Sequence, residues 1–270
     1  MGKEGSVILK RLFFSDGQNK NSKEDLKKAI AFVDYEHWYV SMKRNFGMAP
    51  DIGKWFDDLK EKVQLTEAIF FADFSKKSLA DEISRIRTFT NKIIDTRNPT
   101  GNSKKDFTDF IILDNMYQRA FASDSVDVFI LFSGDGHFSS VTSFLKNFRQ
   151  KEVGIYGVRD SFSRQLQSTA SWCVTVPFEE ELYGAYYVKI LKYLKEAEEL
   201  KSSNLPTYDK TFATICKDPK SDRQRVKEAL EKLLELKVIT KHNVALNGRK
   251  SMEALFVNWE KAAEENIFLT

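Results

Sequence analysis

Aspartates recur where short apolar stretches of this sequence end. Five of them are spaced along the chain, at Asp34, Asp73, Asp95, Asp135 and Asp160. Carboxylates that are brought together repel one another, by about 4 kcal/mol for a pair at ~4 Å in an effective dielectric of ~20, and a bound cation offsets that repulsion. Ligand sets made of oxygen atoms suit Mg²⁺ or Mn²⁺. The pattern predicts a divalent-metal site if the fold gathers these residues, and the alternative for any single aspartate is a helix N-cap.

The most specific segment covers residues 133–138, Ser-Gly-Asp-Gly-His-Phe. Gly134 and Gly136 flank Asp135, whereas an aspartate that only caps a helix needs neither glycine. Glycine permits a sharp bend and a close approach of the backbone to another group. We therefore expect this loop to approach a ligand closely. Asp106 and Asp109 stand in the first turn of a predicted helix, and we expect them at the same edge of the fold.

Short apolar runs alternate with segments of helical spacing as far as Pro177. The predicted strands cover residues 30–33, 68–71, 92–94, 128–132, 153–156 and 173–176, and the predicted helices cover residues 51–63, 79–89, 106–121 and 137–148, with a short helix before the last strand. This alternation is typical of an α/β fold with a parallel sheet covered by helices on both faces. Ligands bind beyond the carboxyl ends of such strands, which is where the aspartates fall.

Beyond Pro177 the chain is mostly helical. We expect Ser221 to be the N-cap of a strong amphipathic helix. The expected elements are helices at residues 186–200 and 221–236, and hairpin strands at residues 238–240 and 255–257 around an Asn-Gly turn at 247–248. This order is typical of a winged helix. The predicted organisation is an N-terminal arm at residues 1–28 with an edge strand at 7–14, an α/β domain at 29–180, and a smaller winged-helix-like domain at 181–270.

Composition narrows the class of protein more than it identifies a function. The 270 residues are 42% hydrophobic and 30% charged, which is typical of a globular protein. A net charge of +3 and a pI of about 8.6 are too weakly basic to indicate nucleic acid by themselves. Cys173 and Cys216 lack any zinc-site spacing and are expected to be reduced thiols. Without a long apolar run or a signal peptide, we expect a cytoplasmic protein with no membrane association.

Several other chemistries lack their motifs. No Gly-x-Gly-x-x-Gly follows the first predicted strand, and neither a Walker-type phosphate loop nor a Gly-x-Ser-x-Gly nucleophile turn occurs. His37, His137 and His242 have no metal-ligand spacing. A phosphatase of the haloacid dehalogenase type needs a second aspartate two residues after the first, where this sequence has Glu36.

At these residues the sequence resembles the NYN domain, a branch of the PIN-like nucleases. The resemblance covers roughly residues 29–178, with matching pieces at 31–37 (Ala-Phe-Val-Asp-Tyr-Glu-His), 104–114, 129–138, 151–157, 166–171 and the last strand. It implies a PIN-like, Rossmannoid parallel sheet. It also implies a metal-dependent ribonuclease in which a few acids hold Mg²⁺ or Mn²⁺ near the scissile phosphate.

The resemblance implies particular residues for this site. Asp34 and Asp135 match acids that the family directs at metal. A comparison without gaps places Thr108 on the third acid of the family, so the adjacent Asp109 is expected to serve, with Asp106 and Asp114 as alternatives. The expected metal ligands are therefore Asp34, Asp109 and Asp135, and Glu36 is expected to assist them from close by.

Two histidines depart from the family pattern. His37 stands where the family usually has asparagine, and His137 stands where a second aspartate often occurs. Loss of that carboxylate would weaken one metal position. This member then binds one ion, uses His137 as a nitrogen ligand or as a proton donor to the leaving oxygen, or has lost activity. Loss of activity gives a binding protein that recognises nucleic acid or nucleotide without cutting it, and the other interpretations give a nuclease.

Basic residues beside the acidic edge and on the second domain suit nucleic acid, and the resemblance implies RNA more than DNA. Phosphate contacts are expected beside the acidic edge and on the second domain. The expected contacts are Arg97, Lys104 and Lys105 at the edge, Arg223, Arg225 and Lys227 on the helix at 221–236, and Arg249 and Lys250 in the wing. Glutamates share that helix, so a plain solvated helix or a protein-docking module stays an alternative, and a homo-oligomer is left open.

Overall fold

The computed structural model describes residues 26–97, 107–122, 125–199, 205–219, 221–246, 250–265 and 267. Several sequence predictions fall outside these ranges. They are the edge strand at residues 7–14 and most of the predicted arm, the Asn-Gly turn at 247–248, and the site candidates Lys104, Lys105, Asp106 and Arg249. None of the helices in the described part of the chain is long and apolar enough to span a membrane. The described chain divides into two compact units between Pro177 and Phe178.

The first unit is the predicted α/β fold. Its strands and helices alternate along the chain in the order β1 (Lys28–Asp34), α1 (Tyr35–Phe46), α2 (Ile52–Lys62), β2 (Gln64–Ala72), α3 (Glu82–Arg87), β3 (Ile93–Asp95), α4 (Phe107–Ala122), β4 (Val128–Phe132), α5 (Ser139–Asn147), β5 (Glu152–Val158), α6 (Arg164–Thr169) and β6 (Trp172–Val176). A short 3-10 helix, Gly136–Phe138, precedes α5. Six strands form one parallel sheet in the order β3-β2-β1-β4-β5-β6.

Burial explains why the central strands read as continuous apolar runs. All five residues of β4 are buried, as are all residues of β1 except Lys28. Helices on both faces leave no polar side to these strands, so the sequence lacks alternation there. Aromatic side chains fill one face, where Trp38 stacks on Phe132 at 3.9 Å between ring centroids and Trp55 packs edge-on against both. This packing fixes the strand ends that carry the polar residues.

Helix α1 was not predicted from the sequence. Its buried face consists of Tyr35, Trp38 and Met42 with Ser41, and its remaining residues are largely polar or charged. The helix is nevertheless bounded by clear signals. The carboxylate of Asp34 accepts a hydrogen bond from the third residue of the helix, and Gly47 ends it at a φ of 66°, in the left-handed region that glycine adopts readily.

The second unit is mainly helical and contains a pair of antiparallel strands near its end. Its elements are α7 (Glu179–Glu199), α8 (Tyr208–Ile215), α9 (Arg223–Glu235), the antiparallel pair β7 (Ile239–Leu246) and β8 (Lys250–Val257), and α10 (Trp259–Glu264). Val226, Leu230 and Leu233 lie buried on one face of α9. The predicted N-cap Ser221 is wrong, because the carboxylate of Asp222 accepts the hydrogen bond from the Arg225 backbone at 3.0 Å. An aspartate one residue nearer the helix provides this cap.

Candidate metal centre

The candidate site begins where two strands that are distant in sequence lie side by side. β1 and β4 are neighbours at the centre of the sheet, and Val33 pairs with Phe132. Asp34 ends β1, and Ser133 directly follows β4. The order of the strands reverses its direction at this pair, and such a switch point is where parallel sheets bind ligands. The two residues therefore leave the sheet at the same edge.

Asp34 is a buried carboxylate whose two oxygens both accept hydrogen bonds. The His37 backbone N–H donates to Oδ1 at 3.0 Å, and the Ser133 hydroxyl donates to Oδ2 at 3.2 Å. Burial raises the pKa of Asp34 to about 7, although these two hydrogen bonds act in the opposite direction. The negative charges of Glu36 and Asp135 raise it further. Asp34 therefore interacts electrostatically with Asp135, which lies in the loop after the neighbouring strand β4.

Ser133 joins Asp34 to Asp135. Besides donating to Asp34, the Ser133 hydroxyl accepts a hydrogen bond from the Asp135 backbone N–H at 3.2 Å. The Asp135 carboxylate in turn accepts from the backbone N–H of His137 at 2.9 Å and caps the 3-10 helix. Asp135 therefore caps the 3-10 helix and also lies at this edge of the sheet. The two interpretations made from the sequence, a helix N-cap and a metal ligand, do not exclude each other.

Three side chains from two separate segments converge on one spot at this edge. One potential ligand atom each from Asp109, Asp135 and His137 lies within 4.8 Å of the other two. Nδ1 of His137 is 3.4 Å from Oδ1 of Asp135. Asp109 comes from the first turn of α4, while the other two belong to the loop after β4. Two carboxylates and an imidazole are suitable donors for a divalent cation, so the residues present fit such an ion.

Thr108 occupies the family's acid position in a comparison without gaps. Its hydroxyl lies 2.7 Å from the hydroxyl of Thr96, within hydrogen-bonding distance. Thr96 is buried and directly follows β3. Thr108 therefore ties α4 to the end of a strand, and the neighbouring Asp109 reaches the group of ligand atoms. Asp114 is exposed further along α4 and accepts a hydrogen bond from Gln118.

Glu36 and the acids after β2 and β3 engage other partners. Glu36 forms an ion pair with Lys76 and accepts a hydrogen bond from the backbone of Asp73 at 3.4 Å. Asp73 accepts from the backbone of Ser75, and Asp95 accepts from Phe74 and Arg97 in the same way. Asp160, after β5, has a φ of 64°. Asp73 and Asp95 thus shape the loops beside the candidate site.

The role of Gly134 differs from the one expected from the sequence. A Cβ atom at this position would lie 1.8 Å from the carbonyl oxygen of Ser161 and 2.6 Å from Nε2 of His37. A Cβ at Gly136 would meet the hydroxyl of Ser163 at 3.0 Å. The close approach that we expected to a ligand is therefore made by the loop after β5. The glycines let that loop pack against the site.

His37 belongs to this site, although sequence analysis identified it only as a departure from a family pattern. Burial lowers the pKa of His37, while the charges of Asp135 and Asp109 and a hydrogen bond to the Ser161 backbone act to raise it. The ring thus lies within electrostatic range of the converging acids. Its position one turn into α1, three residues after the capping Asp34, is the signal that could have revealed it.

The basic residues proposed for nucleic acid fall in both units. Arg97 follows β3 and lies 3.6 Å from Asp95. On α9, the Arg223 guanidinium lies over the Phe212 ring, Arg225 is partly buried, and Lys227 is 3.8 Å from Glu231. Lys250 begins β8. The three side chains on α9 belong to the second unit, whereas Arg97 belongs to the unit that carries the acidic site.

Comparisons with known proteins agree with this architecture. The sequence pattern of the NYN domain matches residues 28–177, which is more than half of the chain. A crystal structure of a protein of unknown function from Vibrio parahaemolyticus is similar, with a TM-score of 0.50 and 21% identity over 59% of this chain and 96% of that one. At that identity the likeness concerns the fold. No curated protein matches the chain.

Proposed function

This chain belongs to the NYN domain family, and from that premise we propose that it is a metal-dependent ribonuclease that hydrolyses phosphodiester bonds. NYN domains are typically nucleases, which makes hydrolysis the coarse activity of the family. The observation that carries the proposal is the convergence of Asp109, Asp135 and His137 at the carboxyl edge of the sheet. Asp34 lies in the same cluster of charges. Divalent cations suited to this edge include Mg²⁺ and Mn²⁺.

Each residue has a role that follows from its contacts. Asp109 and Asp135 present carboxylate oxygens at a partly exposed surface that a phosphate can reach. Ser133 holds the buried Asp34 in register with Asp135. A divalent cation held there would offset the charge of the phosphate and make water more acidic. Glu36 is tied to Lys76, so its contribution is to place a cationic side chain beside the edge.

We propose that the second unit holds the RNA. Helices α7, α8 and α9 are followed by a two-stranded hairpin, an order shared with winged helices. Arg223 and Lys227 are exposed on α9 and supply positive charge for phosphates. Arg97 is proposed to act beside the acidic edge, together with Lys104 and Lys105. Because Cys173 and Cys216 are free thiols, we place this activity in the cytoplasm.

A second candidate is a protein that binds RNA without cutting it. This alternative is favoured by His137, which replaces an acid at the edge, and by the ion pair that neutralises Glu36. Binding without cleavage needs the basic surfaces but not the converging carboxylates. The two functions therefore differ in their dependence on Asp135.

Cleavage of labelled single-stranded RNA by the full chain distinguishes the two candidates. We expect cleavage with Mn²⁺ or Mg²⁺, none with EDTA, and none by the Asp135→Asn variant. Asparagine retains an oxygen that can accept from the His137 backbone, so the cap and the fold are expected to persist. The exposed Asp57→Asn variant on α2 is the matched control. Undiminished cleavage by Asp135→Asn would remove the mechanism, and RNA binding without cleavage by the wild type would favour the second candidate.

A further inference from the structure

We propose that the cation of this site is held by Asp109, Asp135 and Nδ1 of His137, and that the imidazole makes the site select first-row transition cations such as Mn²⁺ over Mg²⁺. This inference rests on the proposed function and names the metal chemistry of the same site. It differs from the set of three aspartates expected from the sequence, because it exchanges Asp34 for a nitrogen ligand.

The spacing of the donor atoms fits a shared cation. Ligand atoms about 2.1 Å from a common ion lie about 3.0 Å apart in an octahedral shell and about 3.4 Å apart in a tetrahedral one. Nδ1 of His137 and Oδ1 of Asp135 are 3.4 Å apart. The atoms of the whole group lie within 4.8 Å of one another, so small side-chain movements would bring all three donors to one ion, whose remaining positions water would fill.

The backbone conformation of the 3-10 turn places the exposed His137 side chain beside the two carboxylates. Its N–H is fixed by the carboxylate of Asp135, and both residues belong to the same 3-10 turn. The His137 side chain is 66% exposed, so it fills no part of the core. An exposed imidazole beside two carboxylates is open to an incoming cation. The ring replaces the oxygen ligand that a second aspartate would supply at this position.

Asp34 contributes to the site differently. Its side chain is buried, and its two oxygens already accept hydrogen bonds from His37 and Ser133. Each of these oxygens keeps a second lone pair, but Asp34 is not one of the three residues whose ligand atoms lie within 4.8 Å of one another. Asp34 therefore supports the site by anchoring Ser133, which holds the backbone of Asp135.

The donor set decides which ions bind well. Mg²⁺ is a hard cation that prefers oxygen ligands, whereas imidazole suits first-row transition metals. An imidazole in place of a carboxylate also removes one negative charge, which weakens the attraction for every divalent ion. Mn²⁺ accepts both oxygen and nitrogen and is the natural probe. The prediction is a preference for Mn²⁺ over Mg²⁺ that depends on residue 137.

The experiment combines calorimetric titration of Mn²⁺ and Mg²⁺ into the full chain with pulsed electron paramagnetic resonance of bound Mn²⁺. We expect ¹⁴N modulation from a directly bound imidazole in the wild type and its loss in His137→Ala, with Mn²⁺ affinity falling by about 10- to 100-fold or more, since even loss of a ligand's outer partner costs that much. In His137→Asp the ratio of Mn²⁺ to Mg²⁺ affinity should fall. His242→Ala, in the second unit, is the matched control and should retain the wild-type signal.

The outcomes separate this inference from the proposed function. Mn²⁺ binding without ¹⁴N modulation, or modulation that survives in His137→Ala, would overturn the nitrogen ligand even if RNA is cleaved. Modulation that is lost only in the His137 variants supports it, even if the chain cleaves no RNA. Absence of any Mn²⁺ binding by the wild type overturns the inference together with the metal-dependent activity.

Discussion

The Ser133 hydroxyl donates a hydrogen bond of 3.2 Å to the carboxylate of Asp34, which lies 99 residues earlier in the chain. The same hydroxyl accepts from the backbone of Asp135. One buried side chain thus couples the ends of β1 and β4 and sets the geometry of the candidate site. Ser133 is fully buried, so bulk solvent does not contact its hydroxyl.

We predict that Ser133→Ala destabilises the protein by about 1–3 kcal/mol, because it leaves a buried carboxylate oxygen and a backbone N–H without their partner. The loss should be smaller when Asp34 is already asparagine, because a neutral amide depends less on the missing donor. Urea unfolding of the two single variants and the double variant measures this coupling. Ser168→Ala on α6, which removes an exposed hydroxyl, is the control. If the stability changes of the two single variants add up to that of the double variant, the two side chains are not coupled.

Burial of Asp34 should make stability depend on pH in a defined direction. Its pKa is raised from 3.8 to about 7 in the folded state, so the folded chain keeps this proton where the unfolded chain has lost it. The contribution to stability therefore falls as pH rises from about 4 to about 7, by up to roughly 4 kcal/mol. The Asp34→Asn variant lacks this titration. Its free energy of unfolding should therefore rise relative to that of the wild type as the pH increases over this range.

Urea unfolding in EDTA at pH 4.5 and pH 8 tests this expectation. The difference between Asp34→Asn and the wild type should be small at the lower pH and clearly in favour of the variant at the higher one. Asparagine keeps an oxygen for the His37 backbone, so the cap of α1 is retained. The exposed Asp57→Asn variant should show no such change. Parallel pH curves for Asp34→Asn and the wild type would contradict the burial effect.

Thr108 and Asp109 should have separable roles. Asp109→Asn removes a ligand and should lower Mn²⁺ affinity by about 10- to 100-fold or more while leaving stability largely intact. Thr108→Val leaves the buried Thr96 hydroxyl without its partner, at a cost of about 1–2 kcal/mol, and should leave Mn²⁺ affinity unchanged. Calorimetric titration and urea unfolding of both variants provide the comparison. Loss of Mn²⁺ affinity in Thr108→Val but not in Asp109→Asn would indicate that Thr108, as in the comparison without gaps, occupies the metal-binding position.

The positive charge of α9 is expected to serve RNA. Arg223→Glu should weaken binding of single-stranded RNA and reduce the slope of log affinity against log salt by about 0.7 for each phosphate that the variant no longer neutralises. Glutamate in the first turn of a helix is favourable, so folding should persist. Lys195→Glu on α7, an exposed lysine of the same unit, is the control. An equal effect of the two variants would indicate unspecific attraction instead of a binding surface.

The sequence alone determined which segments form the sheet and where its polar ends lie. The continuous apolar run at residues 128–132 is as short as a typical strand and predicted one covered on both faces, and β4 occupies those residues. The aspartates after such strands had to fall at one edge, because parallel strands share their direction. Helix α1 escaped prediction, because its few buried side chains lie among charged residues.

Only the tertiary structure decided which of these acids meet. Strand order is set by packing between distant segments, and it placed β1 beside β4 while Asp73 and Asp95 became loop anchors. Whether Thr108 or Asp109 reaches the site depends on the rotation of α4 about its axis, which spacing cannot fix to one residue. The approach of Ser161 to Gly134 is likewise a contact between loops. Such contacts depend on distances of a few ångströms that local sequence does not encode.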